Sequence, residues 1–472
     1  MAIKGIISHP VEITLRLIGA WPNSSCRIFK YIIWTTVMST FLIFQYSYCL
    51  THVKAADLTE LLDGLSVTFS NTLLLLKFII VWFHKQTFSE ILIIMAEDWD
   101  NCKSEWNMEV MMQKAILSYR IAKVMLIVFT CSISLYAVTT FFVPDNIEAS
   151  HSTEKKFLLR MQFPFEATFS PIYEIIVTIQ LVIQPIFTLM AGMFMALIAT
   201  FVLHVASQID ILCDRLTEIL NNHNEEQLRI TIIKTLIAKH QRIISLSENV
   251  ENVFTLISLL QFFFNTVVIC FVGFLLVTVT PAVIAKCFPY YIAVNFEALI
   301  LCYTGEYLSS KSEDIGWTVY NSNWYRLSIY ETRALLLLIL RSQKPLNLTI
   351  GKFMNLSLET FANVRILLRF HKKLIQIKLL SKFKDILSIY FLHVIIFLYV
   401  VSLRLLHYFV LIVHSINKYL KSILRNYYNN SIDYPYIIQW LTKVFERPLK
   451  QNKFFKIGTS FETFLDIRRF TI

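Results

Sequence analysis

The amino-acid sequence predicts an all-α membrane protein: a polytopic helical bundle with six clear spans, a candidate seventh and a cytoplasmic N-terminus. Three observations carry that expectation. Hydrophobic residues make up 56% of the 472 and charged residues 16%, with mean hydropathy +0.56; a soluble chain of this length is ordinarily about 45–50% apolar. Several apolar stretches run past about 20 residues, enough to cross a ~30 Å hydrocarbon core at ~1.5 Å per residue. Glycine is scarce, at nine residues, whereas a membrane β-barrel needs alternating strands of about ten residues joined by many turns.

The spans follow in order. The first covers about 28–50, "IFKYIIWTTVMSTFLIFQYSYCL", and the second about 61–83. The third covers about 121–143, the fourth 173–203, the fifth 254–280 and the sixth 283–303. Between the fourth and fifth, residues 204–252 keep an apolar three-to-four spacing through Ile209, Leu212, Leu216 and Leu220, then Ile233, Leu236 and Ile237. That spacing predicts two amphipathic helices broken at "NNHNEE", extending the fourth and fifth spans beyond the bilayer. The N-terminal stretch lacks the compact apolar core and small-residue cleavage site of a signal peptide.

Charge sets the orientation. With the N-terminus inside, the four inner segments carry 20 Lys and Arg and the three outer ones carry 5, so the positive-inside rule favours a cytoplasmic N-terminus. This is opposite to G-protein-coupled receptors, whose E/DRY and NPxxY signatures are also missing. The net charge of +11 lies between apolar spans, where it sets topology rather than binding nucleic acid. The eight cysteines are scattered with no CxxC or Cys/His cluster, which gives no support to a metal site. No phosphate loop, GxGxxG, HExxH or GxSxG occurs, so neither enzyme chemistry nor a cofactor is expected. A secondary transporter should show repeated halves with paired broken helices, and no such pairing is seen.

Polar residues inside spans are costly in lipid and therefore informative. Asn71 and Lys77 lie in the second span, Gln180 and Gln184 in the fourth, Asn265 in the fifth, and Asn295 and Glu297 in the sixth. One reading is interhelical hydrogen bonding, with Lys77 snorkelling toward the inner surface. The other is a pocket or water path. The outer halves of the spans carry Thr68, Asn71, Ser134, Tyr136, Tyr173, Gln180, Phe288 and Tyr291. A lining of that kind suits a small, weakly polar ligand.

The stretch "GEYLSSKSEDIGWTVYNSNWYRLSIYETRALLLLILRSQKPLNLTIGKFMNLSLETFANV" closely resembles the C-terminal region of insect odorant receptors, most of all those of ants, bees and wasps. The residues that carry the likeness are Tyr320, Trp324, Arg333, Arg341–Leu346, Gly351–Phe353 and Leu356–Phe361, with Ala334 a minor departure. "RMQFPFEATFSPIYEI" and "SENVENVFTLISLLQFFFNTVVICFVGF" resemble the family's second outer loop and fifth span. The resemblance implies a seven-helix domain over 1–364, its final helix beginning near 348–364. It also implies a small volatile odorant bound in the outer half of the bundle. The odorant receptor co-receptor, Orco, would be the partner in a hetero-oligomeric, tetrameric odorant-gated cation channel, in the plasma membrane of olfactory sensory neurons. Tyr320, Trp324, Arg333, Ser342, Gln343 and Lys344 would belong to a cytoplasmic anchor between subunits. A gustatory receptor relative is a nearer competitor than a transporter, but that group's final-helix TYxxxxxQF pattern is missing.

The likeness stops at Val364. Residues 365–472 contain no alanine and one glycine, Gly458, and are dominated by residues of AT-rich codons. Val-Arg can be encoded GTA-AGA, which reads as a splice donor, so the tail is expected to be translated intron or a frameshift. Its candidate span, 386–413, carries Arg404, which costs roughly 2.5–3.5 kcal/mol at mid-helix. On this reading the tail does not rebuild a pore helix, and the chain would be a non-conducting derivative.

Overall fold

The computed structural model describes residues 9–17, 19, 21, 27–52, 58–142, 156–221, 226–278 and 281–362, all within the compact unit Met1–Lys373. The tail and its candidate span lie outside the described residues.

The chain is built almost wholly of helices: α1 (His9–Leu17), α2 (Arg27–His52), α3 (Leu58–Phe83), α4 (Lys85–Asp100), α5 (Glu105–Phe142), α6 (Ile172–Asn221), α7 (Glu226–Thr278), α8 (Pro281–Tyr320) and α9 (Ile329–Ser342). A hairpin of β1 (Thr349–Ile350) and β2 (Met354–Asn355) follows. Six of the helices, α2, α3 and α5–α8, are long and apolar enough to cross a membrane. All six expected spans are therefore present among the described residues. The helices outrun them: α6 and α7 continue beyond the expected span limits as the sequence predicts, and α5 and α8 do so as well. The periodicity that reveals an extension in 204–252 is weaker in 105–120 and 304–320, where charged and aromatic residues interrupt the apolar stripe.

α6 is the centre. It packs against α5, α7 and α8, while α3 packs against α2 and α7. From Met193 to Leu203 every residue of α6 is buried. Burial on all faces marks a helix enclosed by others rather than one lying on a surface. α2, α5 and α8 instead turn Ile43, Ile127 and Phe288 outward, each more than half exposed. Apolar side chains on the outside of apolar helices are those that lipid would cover.

The two ends of the bundle differ. One end, here the loop end, holds the segment 156–171 between α5 and α6. The other holds α4, α9 and the hairpin. α9 starts with a capping box, in which Ser328 and Glu331 satisfy each other's backbone donors. Glu331 also meets Arg229 of α7 at 2.6 Å. The hairpin turns at Gly351 and Lys352, with φ of 59° and 65°. Two successive positive φ values belong to the tight turn that matches strand twist, and glycine takes the first at no steric cost. The Gly351 N–H donates to Thr255 O at 3.1 Å, which fastens the turn to α7. Helix resumes at 358, after the hairpin.

Candidate functional site

A cavity of about 80 Å³ lies inside the bundle among α3, α5, α6, α7 and α8. One buried water needs only ~10–15 Å³ on this measure, so the space exceeds several waters. Each helix contributes one face. α3 gives Val67, Ser70, Asn71, Leu74 and Lys77; α5 gives Phe129, Ser132, Ile133 and Tyr136; α8 gives Tyr290, Ala293, Val294 and Glu297. The steps of three and four residues place each set on one stripe of its helix. α6 adds Gln184, Phe187, Thr188 and Ala191, and α7 adds Asn265.

Most polar groups on the wall are already engaged. Asn71 Nδ2 donates to Gln45 at 3.3 Å and Gln184 at 3.2 Å, and Gln184 Nε2 donates back to Asn71 at 3.3 Å. Three helices are thus joined through side-chain amides. Tyr290 donates to Ser66 O at 2.9 Å, and its hydroxyl meets that of Ser70 at 2.5 Å.

Toward the loop end the cavity is closed by charge and by chain. Tyr136 donates to both carboxylate oxygens of Asp63 at 3.3 Å. Lys286 Nζ meets Asp63 at 2.6 Å and lies 4.4 Å above the Tyr136 ring. Leu159 drops into the cavity wall from the 156–171 segment. Gln180 holds it there, accepting from Leu159 N–H at 3.1 Å and donating to Leu159 O at 3.4 Å. At the far end of the cavity sit Lys77 and Glu297, 1% and 6% exposed.

The comparisons with known proteins agree on this architecture. Residues 57–367, more than half of the chain, match the family described as 7tm Odorant receptor. The chain belongs to that family. It is 23% identical to odorant receptor 13a of Drosophila melanogaster over 400 residues, covering 76% of this chain and 92% of that one. It is 31% identical to odorant receptor 85b of the same species over 130 residues, 27% of this chain. In that match and another of similar identity, the chain spans about a third of the relative's length. In fold it is similar to the olfactory receptor OR5 from Machilis hrabei in complex with eugenol. The TM-score is 0.66 at 15% identity, over 78% of this chain and 97% of that one. This odorant receptor family member is accordingly a multi-pass membrane protein.

The structure brings together some of the residues expected in a pocket and disperses the rest. Asn71 and Tyr136 line the cavity. Thr68 is buried one turn away, with its hydroxyl on Gly64 O at 2.8 Å. Gln180 acts through Leu159. Tyr173 lies outside the lining at the loop end, donating to Lys156 O at 2.7 Å. Ser134 and Phe288 are exposed on the outside of α5 and α8. Tyr291 points away, and its neighbour Tyr290 takes the wall position. Lys77 does not snorkel: it is 1% exposed and faces the cavity. An inward-facing position on α3 surrounds it with other helices, so its ammonium has no path to the surface. Ser70, Ser132, Tyr290 and Thr188 were missed. The signal that could have found them is the stripe itself, since Ser70, Asn71 and Lys77 share one face of α3.

Of the expected anchor residues, Tyr320, Arg333, Gln343 and Lys344 are exposed and Trp324 is half-buried. Ser342 is buried against Gly316, where any added Cβ would collide with its hydroxyl.

Proposed function

We propose that this chain is an odorant receptor subunit that binds a small volatile ligand in the α3–α5–α6–α8 cavity. With the co-receptor Orco it would form an odorant-gated cation channel in the plasma membrane of olfactory sensory neurons. The observation that carries the reading is the cavity: inside the helical bundle, walled mainly by apolar and aromatic side chains, and carrying a few convergent polar groups. Sites for small ligands have that composition. The loop end is then the outer end, and the N-terminus is cytoplasmic, as the excess of Lys and Arg on the α9 side supports. Asn71 and Tyr136 would contact ligand directly, while Thr68, Gln180 and Tyr173 would hold the wall and mouth. Tyr320, Trp324, Arg333, Gln343 and Lys344 would supply a subunit anchor, and Ser342 would position α9 against α8.

A second reading is favoured by one observation. The family match ends at residue 367, close to where the composition changes at Arg365. On this reading residues 365–472 are translated intron or a frameshift, and the chain as written is a non-conducting derivative.

Sequencing the transcript across the Val364–Arg365 junction separates the two. A message that splices there into an exon encoding a small-residue helix makes the tail an artefact. A message that reads through should give no odorant-gated current in patch-clamp recordings of this exact chain with Orco. A current from that chain would overturn the second reading.

A further inference from the structure

We infer that the cavity selects volatiles carrying a hydroxyl group, alcohols or phenols, over ketones, ethers and hydrocarbons of the same size. The inference rests on the reading of the cavity as the ligand site and names the chemistry of its ligand. Its basis is the pair Lys77 on α3 and Glu297 on α8.

Both side chains line the cavity and are almost wholly withdrawn from solvent. They face the same cavity from α3 and α8, yet they form no ion pair within 4.0 Å. Opposite charges held apart away from bulk solvent are costly unless something polar joins them. The joining group must satisfy two unlike neighbours: an ammonium only donates hydrogen bonds, and a carboxylate only accepts them. A hydroxyl does both at once. A ketone, ether or ester accepts from Lys77 but brings Glu297 no donor beyond the one Gln261 supplies to one of its two oxygens. A hydrocarbon serves neither and also displaces whatever solvates them.

The carboxylate is held for this role. Gln261 Nε2 donates to Glu297 at 2.5 Å and to Asn265 at 2.8 Å, which fixes one oxygen from behind. Asn71 and Gln184 answer one another, Tyr290 donates to Ser66 O, Tyr136 donates to Asp63 and Thr188 donates to Gln184 O. Phe129, Phe187, Leu74 and Val294 provide the apolar remainder. The whole describes a ligand with an apolar body and one hydroxyl head. Sites that hydrogen-bond a ligand hydroxyl discriminate far more strongly against its absence than apolar pockets discriminate by size.

The test is thermal stabilisation of the full chain in lipid nanodiscs, which does not depend on a working pore. The probes are 1-hexanol, 2-hexanone and hexane, with benzyl alcohol and toluene as an aromatic pair. Ligand that binds the folded state raises the melting temperature by an amount that grows with ln(1 + L/Kd), L being its free concentration. The expected result is that a given rise in melting temperature is reached at an alcohol concentration at least ~10-fold below that of the matched ketone or hydrocarbon. The double variant Lys77→Met/Glu297→Met removes both charges together and so strands neither. It should bind hexane at least as well as the native chain and lose the alcohol-to-ketone preference. A role in packing alone would change stability without changing that ratio. If ketone or hydrocarbon stabilises as well as alcohol, the hydroxyl inference is overturned and the ligand site stands. If no probe of any class stabilises the protein, the ligand-site reading falls and this inference with it.

Discussion

Lys286 Nζ stands 2.6 Å from an Asp63 carboxylate oxygen and ties α8 to α3 at the loop end of the bundle, with Tyr136 of α5 donating to the same carboxylate. Both ionic side chains are no more than 15% exposed. Breaking a buried pair by removing one partner leaves an uncompensated charge, at a cost of about 3–5 kcal/mol. Lys286→Met should therefore lower the melting temperature sharply in nanodiscs. Asp63→Asn/Lys286→Met should recover most of the loss, because the tyrosine hydroxyl keeps an acceptor. Equal damage from the single and double variants would show that the charge pairing is not what holds these helices.

Glu331 gives a pH dependence at the opposite end. Burial pushes its carboxyl pKa up, but the bonds from Arg229 and Ser328 outweigh that and leave it below the ordinary value of 4.5. A depressed folded-state pKa contributes stability that is present above the unfolded value and lost as pH falls through the folded one. Amide hydrogen exchange of α9 should accordingly accelerate as pH drops below about 4.5, after correction for intrinsic rates. Glu331→Gln should show fast exchange at neutral pH and no such transition. A native chain whose α9 protection is flat across that range would contradict the assignment.

Gly305 lets the hairpin strand approach α8. A Cβ there would stand 2.6 Å from Leu356 O and overlap the Leu356 side chain as well. Backbone cannot give way as a flexible side chain does, so Gly305→Ala should cost about 1–3 kcal/mol. The damage should be local, read as faster proteolysis between α9 and residue 362. Unchanged cleavage would mean that the segment relaxes without penalty.

Gln180→Leu leaves both the N–H and the carbonyl of Leu159 without their side-chain partner. Each stranded backbone group costs about 1–3 kcal/mol. The expected outcome is a looser 156–161 segment and faster ligand release, seen as a shorter washout after a stabilising alcohol. A variant that releases ligand at the native rate would show that Leu159 is not part of the exit path.

The bundle was legible because long apolar runs have few alternatives in a membrane. All six spans, the extensions of α6 and α7 and the unbroken course of α6 through Pro185 sit on residues whose hydropathy declares them. The cavity was only half legible. Asn71 and Tyr136 could be placed because a polar group within a span must face protein. Phe288 and Tyr291 show the limit: an aromatic residue is at home against lipid or protein, and one residue along a helix turns the side chain by about 100°. Tyr290 is on the wall and Tyr291 is not, a difference that composition does not carry. The hairpin was invisible for another reason. Its two-residue strands are defined by the Gly351–Lys352 turn and by contacts with α7, more than ninety residues earlier in the chain.

α6 runs without interruption from the mouth of the cavity to Asn221. About 30 residues separate the cavity wall at Ala191 from that terminus, a helical arm of roughly 45 Å. Tilting such an arm by about 3° about the cavity carries its tip through roughly 2 Å, comparable to the helix shifts that switch subunit interfaces. On the proposed reading, a ligand too small to reach the far end of the bundle would be felt there by leverage, with no relay of side chains needed between.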